Sequence, residues 1–192
     1  YKRQMYARSE GVGSTMVLTH YGTGDLLQAF GAGDLTPSFR IRNNGHVVSN
    51  AFEITGGADI VEGFEATAPC EPGTVVVLDP EVEGSVRPAS EPYDGRVMGI
   101  ASGAGGVRPG LSLRQEGVLE GETQVALLGR VYVKCSAENG PIEPGDLLTT
   151  SRTVGHAMRA SDPSKSFGAV IGKALGSLDE GTGLVLVVVS LQ

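Results

Sequence analysis

The sequence predicts an all-β protein in which N-terminal hairpins precede a β-barrel or β-clip-like domain. Glycine makes up 29 of the 192 residues, about twice its usual share of ~7%. The glycines separate short runs of Val, Leu, Ile and Thr, as turns separate strands. No window has the apolar period of 3.6 that an amphipathic helix requires. One block of sequence also occurs twice, which indicates an internal duplication.

The first 53 residues have the pattern of a series of short hairpins. Strands are predicted at 16–20, 25–30, 38–42 and 46–49, with Gly-rich turns between them. Asn44-Gly45 is the strongest turn signal, because these residues tolerate the positive φ that both central positions of a two-residue hairpin turn need.

These hairpins need a covering surface, because each carries few large apolar residues and an isolated hairpin is marginal in water. We favour three copies of the chain winding together as intertwined strands, with Phe30, Phe39, Ile41 and Phe52 near a shared axis. The alternative is an ordinary β-domain packed on the C-terminal half. Because the chain begins with Tyr1 rather than Met, we expect it to be part of a longer protein.

Residues 66–192 are predicted to form the C-terminal β-domain, whose repeated block lies at 71–101 and 143–174. Glu71-Pro72-Gly73 matches Glu143-Pro144-Gly145, and two further matched segments follow at similar spacing. Pro-Gly predicts a type II turn in each copy. The closing strand of each copy has a central glycine, which predicts a bulge or a close backbone approach. The continuous apolar run at 184–189 predicts a central strand covered on both faces.

Composition argues against several classes of partner. A net charge of −7 and the lack of any run of three basic residues argue against nucleic acid. No apolar run approaches the ~20 residues of a membrane helix, so no membrane insertion is expected. The three histidines are too isolated to suggest a metal site, and no cofactor is expected. For Cys70 and Cys135 a single bridge stays open, although we favour two buried thiols.

The candidate catalytic residues, Asp59 and Glu62, lie in a predicted junction at 54–65. They stand three positions apart after Gly56-Gly57. A bend at the glycines would bring both near one peptide bond, where a carboxylic acid can pass a proton to a leaving amide nitrogen. The alternative, which the spacing favours, is that Asp59 accepts local backbone hydrogen bonds and Glu62 is solvated.

Several segments resemble the C-terminal domains of phage tail-fibre and tail-appendage proteins and their bacterial homologues. They lie at 39–47, 57–62, 129–134, 140–142 and 145–148, and the resemblance covers residues 38–192. It implies a homotrimer whose domain follows repetitive trimeric β-structure. Some members of the wider group are peptidase G2-type intramolecular chaperones that cut themselves before an Asp with a Glu three residues later. On this chain that cut would separate Ala58 from Asp59, with Glu62 as acid and base.

Three functions follow as hypotheses. The favoured one is a structural trimerisation and capping domain of a fibre or surface appendage. The second is a self-cleaving chaperone, although we lean against an enzyme, and the third is a receptor- or glycan-binding tip that uses the loop 103–109. The expected partners are other copies of the chain, upstream fibre segments and a cell-surface receptor. The expected location is the virion or the extracellular face of a cell.

Overall fold

The structure is a computed structural model, and it describes residues 18–19 and 21–190. Strands make up 42% and helices 4%, which confirms the all-β prediction. The described helical segments are a single turn, α1 (Pro163–Ser166), and a 3-10 turn at Ala104–Gly106. The chain divides into two compact units, unit 1 (residues 1–53) and unit 2 (residues 54–192).

Unit 1 contains an antiparallel sheet in the order β1 (Leu27–Ala29), β2 (Phe39–Ile41), β3 (Val47–Ser49). Gly45 in the β2–β3 turn has φ 84°, and its amide donates to the Arg42 carbonyl at 3.0 Å. Among described non-glycine residues only Tyr93 has a positive φ. The turn is therefore a three-residue loop with one left-handed glycine, not the predicted two-residue type. The predicted strand at 16–20 lies mostly outside the described residues.

The described part of unit 1 has no buried residue. Its large apolar side chains include Phe30, exposed over 52% of its surface, Phe52 at 70% and Leu35 at 97%. A sheet of three three-residue strands buries too little apolar surface to be stable by itself in water. The strands of unit 1 therefore depend on apolar surface from outside this sheet.

Unit 2 contains ten strands within the described residues, which pair into one continuous network. They are β4 (Asp59–Phe64), β5 (Val75–Leu78), β6 (Val86–Pro88), β7 (Val97–Ala101), β8 (Pro109–Leu113), β9 (Thr123–Ser136), β10 (Leu147–Thr150), β11 (Ala157–Arg159), β12 (Val170–Ala174) and β13 (Thr182–Ser190).

Five of these strands close into a β-barrel, as the sequence predicted. The order is β9, β13, β12, β10, β11. The ring closes where Ala157 of β11 pairs in parallel with Cys135 of β9. Every strand of the ring therefore has two neighbours, which removes the unpaired edges of an open sheet.

The long strand β9 also belongs to a second circuit with the same pattern of pairing. The first half of β9 pairs antiparallel with β7 on one side and with β4 on the other, and from β7 the order continues through β5 and β6. Just after β4, Ala66 bridges in parallel to Val86 of β6. The circuit of β4, β6, β5, β7 and β9 thus repeats that of the barrel, with β9 shared between them.

The two sequence blocks match strand for strand, with β5, β6 and β7 equivalent to β10, β11 and β12. Val76 lies opposite Gly99, Leu148 lies opposite Gly172, and a register shift follows immediately in both pairs. A Cβ at either glycine would overlap a carbonyl oxygen of the neighbouring strand. Both glycines therefore provide the close backbone approach that the sequence predicted.

The Pro-Gly turns also agree with the prediction. Gly73 has φ 87° and Gly145 has φ 101°. The residue after each glycine donates to the glutamate that begins the turn, Thr74 to Glu71 at 3.0 Å and Asp146 to Glu143 at 3.1 Å. These are the φ values and the hydrogen bond of a type II turn.

Strand β13 is central, since it lies between β12 and β9, but the prediction that both of its faces are covered was wrong. Three alternate residues of β13 are at most 2% exposed, namely Val185, Val187 and Val189. Leu184, which precedes them near the start of the strand, is 50% exposed. A barrel has one interior, so alternate residues of β13 face outward.

The segment predicted as a junction, 54–65, also differs in the structure. Residues 59–64 form β4, which pairs with β8 and β9, and Val61 is fully buried in the main core. The sequence did not indicate this strand, because only Ile60 and Val61 lie together between the charged residues Asp59 and Glu62.

Candidate functional site

Asp59 begins β4 and is one of the few buried charged residues, with only 3% of its surface exposed. Ser102, which follows β7, donates its hydroxyl hydrogen to Asp59 Oδ2 at 2.6 Å. Asp59 Oδ1 is buried and has no hydrogen-bond partner within the described chain. Burying a carboxylate oxygen without a hydrogen-bond partner lowers the stability of the folded chain. The packing of the core therefore does not explain why Asp59 occupies this position.

The Ala58–Asp59 peptide bond is held within the sheet. The Ala58 amide donates to the Arg108 carbonyl at 3.0 Å, and the Arg130 amide donates to the Ala58 carbonyl at 3.0 Å. A Cβ at Gly129 would overlap the Ala58 carbonyl oxygen. Glycine at this point lets β9 approach the bond closely.

A cleft of about 370 Å³ lies beside this peptide bond. It is lined by apolar side chains, by the backbone of three glycines, by one carboxylate and by one cation. These residues are Ile54, Gly57, Ala58, Asp59, Ile60, Gly110, Leu111, Leu128, Gly129 and Arg130.

Glu62 lies in a different place. Along β4, Asp59 and Val61 are buried whereas Ile60 and Glu62 are half-buried. Glu62 lines a separate recess of about 270 Å³, together with Leu113, Arg114 and Leu119. Three residues of strand span about 10 Å. Within one chain, therefore, the strand does not bring the two predicted carboxylates to one point.

Ser102 is the residue that sequence reasoning missed as a partner of Asp59. It is 43 positions away in the sequence, and its Ala-Ser-Gly context has no recognisable pattern. Only the pairing of β4 and β7 with β9 brings the two side chains together.

Tyr93 joins the two blocks through its hydroxyl oxygen. That oxygen accepts hydrogen bonds from the amides of Ser161 and Asp162, both at 3.0 Å. Burial alone would raise the pKa of Tyr93, but the hydrogen bonds from Ser161, Asp162 and Asn139 outweigh it and lower the pKa. The residue has φ 57°, a left-handed conformation that costs energy for a bulky side chain. These bonds tie the Glu91-Pro92 turn to the Asp162-Pro163 turn.

A recess of about 490 Å³ lies next to Tyr93, between the two turns. Its lining is mixed in charge and comprises Pro92, Tyr93, Glu138, Asn139, Arg152, Met158 and Lys165. The Lys165 ammonium lies 5.9 Å from the centroid of the Tyr93 ring. The Tyr93 oxygen accepts these hydrogen bonds from groups of its own chain, which is the pattern of a structural corner.

Both cysteines are free thiols, Cys135 buried and Cys70 half-buried. Burial raises the pKa of Cys135 to about 12 and also raises that of Cys70, which Lys134 partly offsets. Neither is therefore a ready nucleophile at neutral pH. The described residues contain no group of three or more His, Cys, Asp or Glu side chains that could hold a metal ion. They also contain no helix with the length and apolarity needed to cross a bilayer.

No protein-family model matches the chain, and no curated protein matches it either. Among solved structures, the chain is similar to pre-mature bacteriophage phi29 gene product 12, with a TM-score of 0.57 and 14% sequence identity. The match covers 81% of this chain and 25% of that one. At this identity the similarity concerns the fold, and it relates this chain to about a quarter of the phage protein.

A second solved structure, the head fiber gp8.5 N base of bacteriophage phi29, matches with a TM-score of 0.35 and 24% identity. That match covers 66% of this chain and 90% of the other. The TM-score is too low to support an argument about structure.

Proposed function

We propose that this chain is a structural component of a phage fibre or appendage that works as a homotrimer on the virion. Unit 1 would supply strands shared between three chains, and unit 2 would be the domain that caps and aligns them. The observation that carries the proposal is the lack of any buried residue in the described part of unit 1. The fold similarity of the chain to a bacteriophage protein supports the virion as its location.

The two units suggest a division of labour. Unit 2 has a closed barrel and a core of fully buried residues such as Ile100, Val131 and Leu148, so it can fold within one chain. Three folded copies of unit 2 held together would raise the local concentration of the unit 1 strands, which favours their assembly. In the longer protein, the same step would set the alignment of upstream fibre segments.

The proposal is tested by measuring the mass of the full chain in solution by light scattering. The expected mass is three times that of one chain. Replacing the exposed aromatic residues of unit 1, Phe30→Ser together with Phe52→Ser, should lower it toward one chain. Phe167→Ser is the matched control, since Phe167 is 98% exposed but lies in unit 2. A wild-type mass of one chain would overturn the proposal.

A further inference from the structure

One contact between the two blocks of unit 2 is made through a hairpin tip. The tip that joins β10 to β11, residues 151–156, lies against the first block. The Gly155 amide donates to the Ala89 carbonyl at 2.7 Å, and the Val75 amide donates to the Gly155 carbonyl at 2.9 Å. Gly155, Val75 and Ala89 are all buried as a result.

The duplication gives the chain a second copy of each half of this contact. The equivalent of the tip is the β5–β6 connection, residues 79–85, called the acidic tip here. The equivalent of the receiving surface comprises Leu147, Ala160, Lys173 and Val188, and it is called the open face here. In the paired strand registers these four residues correspond, in that order, to Val75, Ala89, Ile100 and Ala126.

Neither copy is used within the described chain. Leu147 is 39% exposed, whereas its counterpart Val75 is fully buried. Gly84 of the acidic tip is exposed, whereas its counterpart Gly155 is buried. Gly155 binds the Val75 amide and the Ala89 carbonyl. Among the described residues, no backbone group forms the equivalent hydrogen bonds with the Leu147 amide and the Ala160 carbonyl.

The open face also has the shape to receive a tip. A recess of about 230 Å³ lies on it, lined by Leu147, Val170, Gly172, Lys173, Val188 and Ser190. Its apolar walls come from the outward residues of three neighbouring strands, β10, β12 and β13. The acidic tip carries an exposed valine, Val82 at 47%, which is of a size to enter it.

Opposite charges meet at the lysine of the open face, while Asp146 borders that face and adds one negative charge. The acidic tip contains Asp79, Glu81 and Glu83. The open face contains Lys173, for which no ion pair is found in the described part of the chain. A cation and apolar side chains grouped on a protein of net charge −7 favour an acidic partner surface.

We propose that the acidic tip of one chain docks on the open face of a second copy, repeating between chains the contact that Gly155 makes within one. In this contact Gly84 of one copy donates its amide hydrogen to the Ala160 carbonyl of the next, and its carbonyl accepts from the Leu147 amide. Each chain has one tip and one face, so the contact is head-to-tail and forms a ring when the rotation closes.

The inference rests on the proposed self-association of the chain, but it concerns unit 2 and not the strands of unit 1. It assigns unit 2 an interface of its own, through which three copies would align before unit 1 assembles. The partner is specific, because the same sequence supplies both the tip and the face.

The internal contact sets the design of a crosslinking test. A Cβ built at Gly155 lies 3.7 Å from the Thr74 Cβ, which is within the range for a disulfide. The equivalent pair between chains is Gly84 and Asp146. The full chain carrying Gly84→Cys and Asp146→Cys should therefore form covalent multimers under oxidising conditions, and each single substitution should not.

Two controls accompany this test. Gly155→Cys with Thr74→Cys should close a bridge within one chain, which checks that the geometry and the oxidation work. Gly84→Cys with Asp179→Cys should give no multimer, because the exposed Asp179 has no role in the contact. In addition, Lys173→Glu should weaken self-association of the full chain several-fold, and Glu83→Lys in the same chain should restore part of it.

The outcomes separate this inference from the function on which it rests. The contact is supported if covalent multimers form with the cysteine pair at Gly84 and Asp146 and do not form with the single substitutions or with the Asp179 control. If the wild-type mass is that of a multimer, the internal control bridges and this pair does not, the inference is overturned and the proposed function stands. A wild-type mass of one chain would overturn both.

Discussion

Unit 1 and unit 2 are built from the same kinds of residue but differ in burial. In unit 2 the strands close a barrel and bury residues such as Val61, Ile100 and Leu148 completely. In the described part of unit 1, β1, β2 and β3 have three residues each and bury none. Stability in one unit can therefore come from within the chain, whereas in the other it must come from outside the sheet.

The largest effect is expected in the core of unit 2. Leu148 is fully buried in the main core, so Leu148→Ala should reduce the free energy of unfolding by about 2–5 kcal/mol. Leu119→Ala is the matched control, because Leu119 is 65% exposed and should change stability little. Urea unfolding measures both. Equal effects of the two substitutions would show that burial of Leu148 does not stabilise unit 2.

A smaller effect is expected at Asp94, which fixes the turn before β7. Its carboxylate accepts two hydrogen bonds from the Arg96 guanidinium, at 2.9 and 2.7 Å. Burial alone would raise the pKa of Asp94, but the hydrogen bonds and charge of Arg96 lower it. Asp94→Asn should therefore cost about 1–3 kcal/mol at pH 7.

The pH dependence of this effect has a definite sign. A lowered pKa in the folded state means that the stabilisation is present above about pH 4, the ordinary pKa of an aspartate. It is lost as the pH falls through the lowered value. The difference between wild type and Asp94→Asn should therefore shrink in acid. The exposed Asp179→Asn serves as control, and a difference that grows in acid would contradict the role given to Asp94.

The matched Pro-Gly turns allow a finer comparison between the two blocks. Gly145 has φ 101° and open space around a built Cβ, so Gly145→Ala should cost only the backbone strain, about 1–2 kcal/mol. At Gly73 the Cβ would also lie 3.2 Å from the Ala104 Cβ and 3.3 Å from the Leu184 Cδ2. Gly73→Ala should therefore cost more. Thermal unfolding of the two variants ranks them, and the reverse order would show that the first turn has room to adjust.

The smallest effect on stability is expected at Glu62, which lines an open recess. Self-cleavage before Asp59 stays a prediction that rests on the sequence resemblance. Under that hypothesis the longer protein releases a fragment beginning at Asp59, and Glu62→Ala prevents the release without changing the fold. Intact-mass measurement over a long incubation decides the matter, since a constant mass in the wild type would remove the hypothesis.

The sequence was most informative where one residue type has one conformational role. The Pro-Gly turns at Gly73 and Gly145, and the strand glycines Gly99 and Gly172, were predictable because few other residues fit there. The matched blocks also indicate the repeated unit, because the same turn and strand residues recur in the same order.

The features that escaped prediction depend on distant pairing. An apolar run such as 184–189 cannot indicate whether one or both of its faces are covered, because a barrel strand and a buried strand share this composition. The strand β4 was assigned to a junction because its pairing with β8 and β9 lies far along the chain. The Ser102–Asp59 hydrogen bond depends on the same pairing.

Hydrogen exchange at two concentrations of the full chain tests the central claim most directly, because it reads the two units in one sample. The account predicts that amides of β2 and β3, such as Arg40 and Val48, are protected at high concentration and lose that protection when dilution separates the chains. Amides in β9 and β13, such as Val131 and Val187, should stay protected throughout. Protection of the unit 1 strands that persists in a sample shown to be single chains would contradict the account.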